Sequence, residues 1–480
     1  MIDIGVIPAA GRGLRLVPYT ENTPKALFEI GGKSLLQRNI EILVHQVGVK
    51  KIYVIHGHLG QQIIDLVAQL HYPGVAIECV ECSDPDIGLA KGLLLLQTKI
   101  QQPFVTLLGD ELYLGSNHEV LGQLPLEKLH AAVAYFANGD VDQIRQNYSL
   151  EIQNGQVTAL HEKPTRLVND LLGCGTFVFT PKIFDYIVST PPSKRSGRVE
   201  LIEAISHLAS AEGGVVPVQI GGHYQNINYE RDYINATHIY RKEHFREYKI
   251  SLVIPAYNEE ASLRHVIDEF SGKVDEILVA ASHSDDRTVE IAQNSPCKTL
   301  VKRFAGYGDA LKQGMAAASG DILILVEADG SFSADDLPKL LSYLHDADMV
   351  IGTRTTKQLI LQGANMSGLL RWGNLLAAKY LQFLWFSPEN RFTDLGCTYR
   401  ALWRECFQVI EHNLHGRGPE FSPEMMVEVI RAKRKIIEIP VTYRPRIGGE
   451  SKHSRTWLGI LHTASRMLWL ITRKRFDGQG

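Results

Sequence analysis

The chain begins the same folding pattern twice. Asp3–Pro8 (DIGVIP) is a short apolar run that opens into a Gly-rich turn, and Ser251–Pro255 (SLVIP) is a second, opening into AYNEE. Apolar runs of this kind suit the first strand of a parallel sheet, which is buried on both faces. In the first half, Leu35–Val47 has a helical period, Lys51–Ile55 reads as strand, Gln61–Leu70 as helix, and Val75–Val80 and Phe104–Leu108 as strands. In the second, Glu260–Phe270 reads as helix, Glu276–Val279 as strand, Asp309–Ala318 as helix, Asp321–Val326 as strand and Leu337–Leu344 as helix. This alternation predicts an α/β architecture with a parallel sheet in each half. Ligands of such sheets gather at the carboxyl ends of the strands, so the polar residues just past those runs are the candidates.

A length of 480 residues accommodates two large domains. Tyr240–Lys249 (YRKEHFREYK), charged and aromatic with no turn signal, reads as a helix end leading into a linker. The expected division is 1–240, a linker at 241–248, a second domain at 249–455, and an amphipathic helix and tail at 456–480. Hydrophobic residues at 45% and charged residues at 21% exclude a mainly disordered chain. With 50 Lys and Arg against 53 Asp and Glu, no basic surplus points to nucleic acid.

The opening MIDIGVIPAAG lacks a basic region followed by a long apolar stretch, so no secretory leader is expected. No uncharged apolar run reaches the ~18 residues that span a bilayer. Six cysteines do not make a disulfide framework in a chain of this length. Cys79 and Cys82 flank the end of an expected strand, with no second pair to complete a zinc site. A reducing cytoplasm is the expected setting.

The first strand runs into Pro8-Ala9-Ala10-Gly11-Arg12-Gly13-Leu14-Arg15. Small residues let a backbone approach a phosphate chain and aim N–H groups at it. Arg15 adds a permanently charged fork, and Thr23-Pro24-Lys25 a second cation at a rigid turn. GRGLR, then TPKAL, then GKSLL opening a helix, resembles the sugar-1-phosphate nucleotidylyltransferase family. Phe104–Asp110 (FVTLLGD), His161–Pro164 (HEKP) and Gly173–Phe179 (GCGTFVF) extend the resemblance over about residues 1–240. It implies a nucleotidyltransferase fold in which Gly11, Gly13, Arg15 and Lys25 hold an NTP and Asp110 binds Mg2+ or Mn2+. It further implies that Glu162 touches the hydroxyls, and Lys163 the phosphate, of a sugar 1-phosphate or related polyol phosphate. Base choice falls to contacts near Ser83–Gly92, Gly88 among them. Where the family usually has a second metal-binding carboxylate, this chain offers Asn226 or Asn228. Magnesium accepts such oxygen ligands. A sugar phosphate is already anionic near neutral pH, so the chemistry asks for alignment and charge neutralisation rather than a base.

In the second half SLVIPAYNEE, EILVAASHSDDRT, GYGDALKQG and DILILVEADG resemble, in order, the family 2 inverting glycosyltransferases of GT-A fold. Thr393–Arg400 (TDLGCTYR) and Tyr443–Lys452 (YRPRIGGESK) are similar to the dolichyl-phosphate mannose synthase branch. That implies a nucleotide-sugar donor held by Pro255, Tyr257 and Glu259, and an acceptor that includes polyprenyl phosphates. Glu327 and Asp329, just past a buried strand, can share a divalent cation that neutralises the leaving diphosphate. Asp394 is the candidate beside the acceptor, and Arg354, Arg400, Arg446 and Lys452 are candidate phosphate clamps. The acidic pair usual at the end of the second strand is replaced by Ala281 and Ser282. Base recognition through His283, Ser284 or Asp285, an unusual donor, and an inactive domain all stay open.

In Ser454–Phe476 the residues Trp457, Leu461, Ala464, Leu468 and Ile471 fall on one helical stripe before a basic end. The segment either packs on its domain or lies on an anionic membrane surface, so any attachment is expected to be peripheral, at the inner face. The expectation is a bifunctional enzyme that makes a nucleotide-sugar and then transfers its sugar. The alternative keeps only the first activity, with the second half a non-catalytic nucleotide-sugar-binding module.

Overall fold

The computed structural model describes residues 2–137, 139–364, 366, 368–386, 390–448 and 457–476. The chain divides into two compact units, Met1–Tyr240 and Arg241–Gly480. The expected linker is short and partly regular: the helix Glu230–Glu243 runs into it, and Phe245–Glu247 forms a single 3-10 turn.

In the first unit Ile4–Ala9 lies at the centre of a sheet, parallel to Lys51–His56 on one side and to Phe104–Leu107 on the other, with Ala76–Glu81 beyond Lys51–His56. Side chains alternate between the faces, as the period of a strand requires. Val6, Tyr53 and Ile55 join one buried cluster, and Ile7, Ile52 and Val54 the other. Beyond Phe104–Leu107 the direction reverses: Leu172–Phe179 runs antiparallel, and then comes the hairpin Tyr148–Gln153/Gln156–Glu162. The hairpin turns at Asn154 and Gly155, both at positive φ, the backbone that a two-residue hairpin loop demands.

The second unit repeats the arrangement. Ile250–Ala256 is flanked in parallel by Glu276–Ala281, with Lys298–Val301 beyond it, and on the other side by Ile322–Leu325. Arg400–Trp403 then runs antiparallel to both Ile322–Leu325 and Met349–Thr353. Both sheets are therefore mixed rather than parallel throughout. Antiparallel strands enter in the later segments, but helix-led parallel strands recur there too: Val215–Gln219 follows the helix Leu201–Glu212 and runs parallel to Ala131–Phe136, and Ile436–Pro440 follows the helix Phe421–Arg431 and runs parallel to Met349–Thr353.

In each unit the first strand lies between its successor and a strand from later in the chain. That reversal of order opens a crevice at the carboxyl ends of the two central strands. The crevice of the first unit receives residues 10–15 and 108–110, and that of the second receives 257–260 and 326–329.

Candidate active sites

Gly13 holds a left-handed backbone (φ 62°), and a Cβ there would lie 2.8 Å from Thr20 Cγ2. The Thr20 hydroxyl donates to Gly13 O at 3.0 Å, and Leu16 N donates to the same carbonyl at 2.8 Å. The loop is thus pinned while Gly11, Arg12 and Arg15 stay exposed. A small core of Leu16, Phe28, Leu112 and Ile227 joins this segment to the ribbon Glu111–Leu114/His223–Asn226. That packing brings Lys25 to the acid. Its Nζ lies 2.6 Å from Asp110 Oδ2 and 3.3 Å from Asn228 Oδ1. Arg15 reaches the same neighbourhood, its guanidinium 5.6 Å from the centre of the Tyr229 ring, on the segment that follows Asn228.

Ile227 N donates to Asp110 O at 3.1 Å, which sets both asparagines beside the acid. Asn226 Nδ2 donates to Asn147 Oδ1 at 2.8 Å, while its Oδ1 is buried and has no partner. Asn147 O accepts from Lys163 N at 2.7 Å. Asn147 therefore couples the Glu162–Lys163 element to the asparagine pair, a role that nothing in its sequence surroundings announces. Lys163 is exposed and Glu162 is half-buried. Glu162 pairs with Arg195, its Oε2 is buried without a partner, and burial, reinforced by Glu200, pushes its carboxyl up against the pull of Arg195. Gly88 begins the helix Leu89–Leu93 at φ 88°, a backbone reserved for glycine, in a loop linked to Arg12 through Asp86 at 3.4 Å.

Glu111, beside Asp110, is fully buried. It accepts from Tyr113 OH at 2.5 Å, Tyr224 OH at 2.6 Å and Gly175 N at 2.8 Å, which ties three strands together behind the site. Burial raises its carboxyl to about 7, with the charge of Asp110 adding to the effect.

Among the described residues no three His, Cys, Asp or Glu side chains converge on a potential metal position. A cation in the first site would draw on Asp110, the amide oxygens of Asn226 and Asn228, and substrate. The unpartnered, buried Asn226 Oδ1 and the all-oxygen donor set fit a hard divalent ion.

In the second domain Thr398 Oγ1 donates to Glu327 Oε1 at 2.7 Å, and Tyr307 in turn bonds Thr398. Arg446 spans both acids. Its NH2 is 3.5 Å from Glu327 Oε2, and its Nε is 3.1 Å from Asp329 Oδ2, a close ion pair without hydrogen-bond alignment. Burial and then Asp329 push the Glu327 carboxyl up to about 7. Glu259 adds negative charge near Arg446, and Tyr257 is exposed beside Pro255. Two carboxylates sharing one guanidinium suit a cation-binding position.

Asp394 and Arg354 are committed to each other. Arg354 Nε and NH2 meet the two carboxylate oxygens at 2.8 and 2.9 Å, and Arg354 N and Gly396 N each donate at 3.0 Å. Burial opposes ionisation of Asp394, yet the guanidinium holds its carboxyl below the usual range. The pair fixes the 393–396 loop rather than presenting a bare charge. Arg400 corrects an expectation: it is 1% exposed and donates to the carbonyls of Cys397, Ser422 and Leu395 at 2.8, 2.6 and 3.0 Å, so its charge faces inward. Lys452 lies outside the described residues, as do the side chains of Trp457 and Leu461.

At the neutral position Ala281 is fully buried, and Ser282 N donates to Ala256 O at 2.9 Å. The Ser284 hydroxyl accepts from Asn258 N at 3.2 Å and donates to Ser282 O at 3.0 Å. Asp286 accepts from Glu260 N at 3.1 Å and from Thr288. These two side chains shape the loop, whereas those of His283 and Asp285 face solvent.

The helix Trp457–Phe476 packs on its own domain. Ile471 is fully buried, Trp385 Nε1 donates to Ile471 O at 3.3 Å, and Lys474 Nζ meets Glu424 and Glu428 at 3.0 and 2.8 Å. No helix among the described residues is long and apolar enough to cross a membrane.

Two crevices of this construction define a pair of transferase domains that handle activated sugars. The chain belongs to the nucleotidyl transferase family, whose model matches residues 4–220, and it carries a glycosyl transferase family 2 domain matched over residues 251–407. It is 31% identical over 230 residues to the UTP–glucose-1-phosphate uridylyltransferase AglF of Haloferax volcanii, covering 47% of this chain and 92% of that protein. It is 29% identical over 213 residues to an uncharacterised glycosyltransferase of Mycobacterium bovis, covering 44% of this chain and 93% of that one. A dolichyl-phosphate hexose transferase of Haloferax volcanii is 29% identical over 203 residues, covering 42% and 84%. The protein is an enzyme of sugar-nucleotide metabolism and glycosyl transfer.

Proposed function

We propose that the first domain joins an NTP to a sugar 1-phosphate, releasing pyrophosphate, and that the second transfers the sugar with inversion to a polyprenyl phosphate. The observation that carries the first step is the position of Lys25 Nζ, shared by Asp110 and Asn228 beside the pinned glycine loop. On binding, the lysine leaves Asp110 for the triphosphate, and Arg15 adds its fork from the loop. Lys163 meets the incoming phosphate, whose oxygen attacks the α-phosphorus in line. A divalent cation on Asp110 and the asparagine oxygens would offset the remaining negative charge. In the second domain Arg446, Glu327 and Asp329 serve the diphosphate leaving group, and a lipid phosphate, already anionic, needs no base. With such an acceptor the enzyme works at a membrane to which it is peripherally attached.

The first relative makes UTP and glucose 1-phosphate the pair to try first in a pyrophosphate-release screen. Addition of polyprenyl phosphate should then release nucleoside diphosphate. Nucleotide-sugar that accumulates without that release, across a panel of acceptors, favours the second reading, in which the C-terminal half only binds nucleotide-sugar. The neutral, buried Ala281 motivates that reading. No pyrophosphate with any NTP and sugar phosphate would sink the proposal.

A further inference from the structure

The helix Gly368–Leu384 carries its apolar residues on both sides. At about 100° per residue, Trp372, Leu376, Lys379 and Phe383 share one narrow stripe, which Phe386 continues just beyond the helix. The four apolar side chains are 59, 68, 79 and 73% exposed. On the opposite face Ala378 and Leu381 are fully buried. The helix Trp457–Phe476 repeats the arrangement with Trp469 (61% exposed), Arg473 and Phe476 (73%), while Ile471 faces the core. The two helices touch: Tyr380 OH and Thr472 Oγ1 are 2.7 Å apart, and the Arg475 guanidinium lies 5.2 Å from the Trp385 ring centre.

Single exposed apolar residues are ordinary, but rows of them are not. At these exposures six such side chains present on the order of 800 Å² of apolar surface, above the roughly 300–600 Å² of the largest patch on a typical monomer. Neither helix contains an Asp or Glu. Arg466 and Lys474 pair with Glu420, Glu424 and Glu428; Lys379, Arg473 and Arg475 are exposed among the aromatics, Arg473 lying 5.1 Å from the Trp469 ring centre.

We propose that the two packed helices seat the second domain on an anionic lipid bilayer, with Trp372, Leu376, Phe383, Phe386, Trp469 and Phe476 entering the headgroup boundary. Exposed aromatic and aliphatic rows interleaved with cations, on helices that contain no acid, are what such an interface takes. A second copy is a poor occupant, because a two-fold contact would set cations against cations with no acid on either helix to relieve them. Spanning does not fit either helix: no helix among the described residues is long and apolar enough to cross a membrane. The inference draws on the proposed function only in that a lipid acceptor gives the surface a purpose.

The test is co-sedimentation of the full chain with vesicles that contain no acceptor, made of phosphatidylcholine alone or with about 30% phosphatidylglycerol. The protein should pellet with the anionic vesicles and be released as salt rises from about 0.15 to 1 M. The double variant Leu376→Glu/Phe383→Glu should bind at least about tenfold more weakly, with an unchanged circular-dichroism spectrum and unfolding transition of the second domain as the check on folding. Wild type that stays in solution with every vesicle overturns the proposal, as does a double variant that binds like wild type. A concentration-dependent dimer, lost in the double variant with no vesicle binding, assigns the face to a second copy instead. Because no acceptor is present, failure here leaves the transfer reaction untouched, and failure of transfer leaves vesicle binding untouched.

Discussion

In both domains a cation of the chain rests on carboxylates at the crevice, but the two pairs are built differently. Lys25 touches one acid and one amide, and the Asp110 side chain is 35% exposed. Arg446 spans two acids, of which Asp329 is buried and Glu327 is raised to about 7 by burial and by its neighbour. A lysine is a mobile point charge, and a lone, partly solvated acid can release it without leaving a buried charge exposed to its like. Two close acids, one buried and one partly so, press on each other and need either a cation or a proton on Glu327 between them. The first arrangement suits exchange of the lysine from acid to phosphate, the second exchange of one cation for another.

The largest break in this comparison is Lys25→Ala. Pyrophosphate formation should fall about 10³-fold, the range for loss of a preorganised cation, while transfer from a pre-made nucleotide-sugar stays within about twofold. Loss of both would end the picture of two independent sites. Arg446→Ala should do the reverse, lowering transfer about 10²-fold and sparing pyrophosphate formation. It should also lower the melting temperature of the second domain, more at pH 8 than at pH 5, since the proton held by Glu327 relieves the pair at low pH. A pH-independent loss would mean that the two acids do not press on each other.

The strand-helix order, the two crevices and the residues that line them are legible in the sequence because each follows from a local pattern: an apolar run, a glycine turn, a polar residue just past a strand. The antiparallel strands are not, although Asn154–Gly155 is a hairpin signal in plain view. Partnerships over long sequence distance are the harder class. Asn147 links Lys163 to Asn226 only because three segments distant in sequence meet, and Glu111 becomes a hub only when Tyr113, Tyr224 and Gly175 close around it. Arg400 shows the converse. A motif arginine looks like a ligand in sequence, but three carbonyls created by the fold claim it.

A finer probe of the first site is Asn228→Asp. Added charge beside Asp110 strengthens an oxygen site for a divalent ion, so the Mg2+ concentration that half-saturates pyrophosphate formation should fall by about tenfold, and Asn228→Ala should raise it. An unchanged Mg2+ titration in both variants would remove Asn228 from the site.

The smallest effect belongs to Glu438, behind the Arg354–Asp394 pair. It accepts from Thr393 N at 2.7 Å and from the Thr393 hydroxyl, and thereby holds the loop that carries Asp394. Burial raises its carboxyl from an ordinary 4.5 to about 7, against the Thr393 hydrogen bonds and with help from the Asp394 charge. The folded state therefore keeps a proton that the unfolded chain releases once pH passes 4.5. Its contribution to stability is fully present below that value and declines as pH rises to about 7. Glu438→Gln cannot titrate, and its amide replaces one acceptor with a donor, so it carries a constant cost at every pH. Measured by thermal unfolding across this range, the melting temperature of the variant relative to wild type should rise by several degrees with pH. A flat difference would mean that Glu438 is ionised in the folded protein and that Thr393 and Asp394 N–H groups, rather than a retained proton, satisfy it.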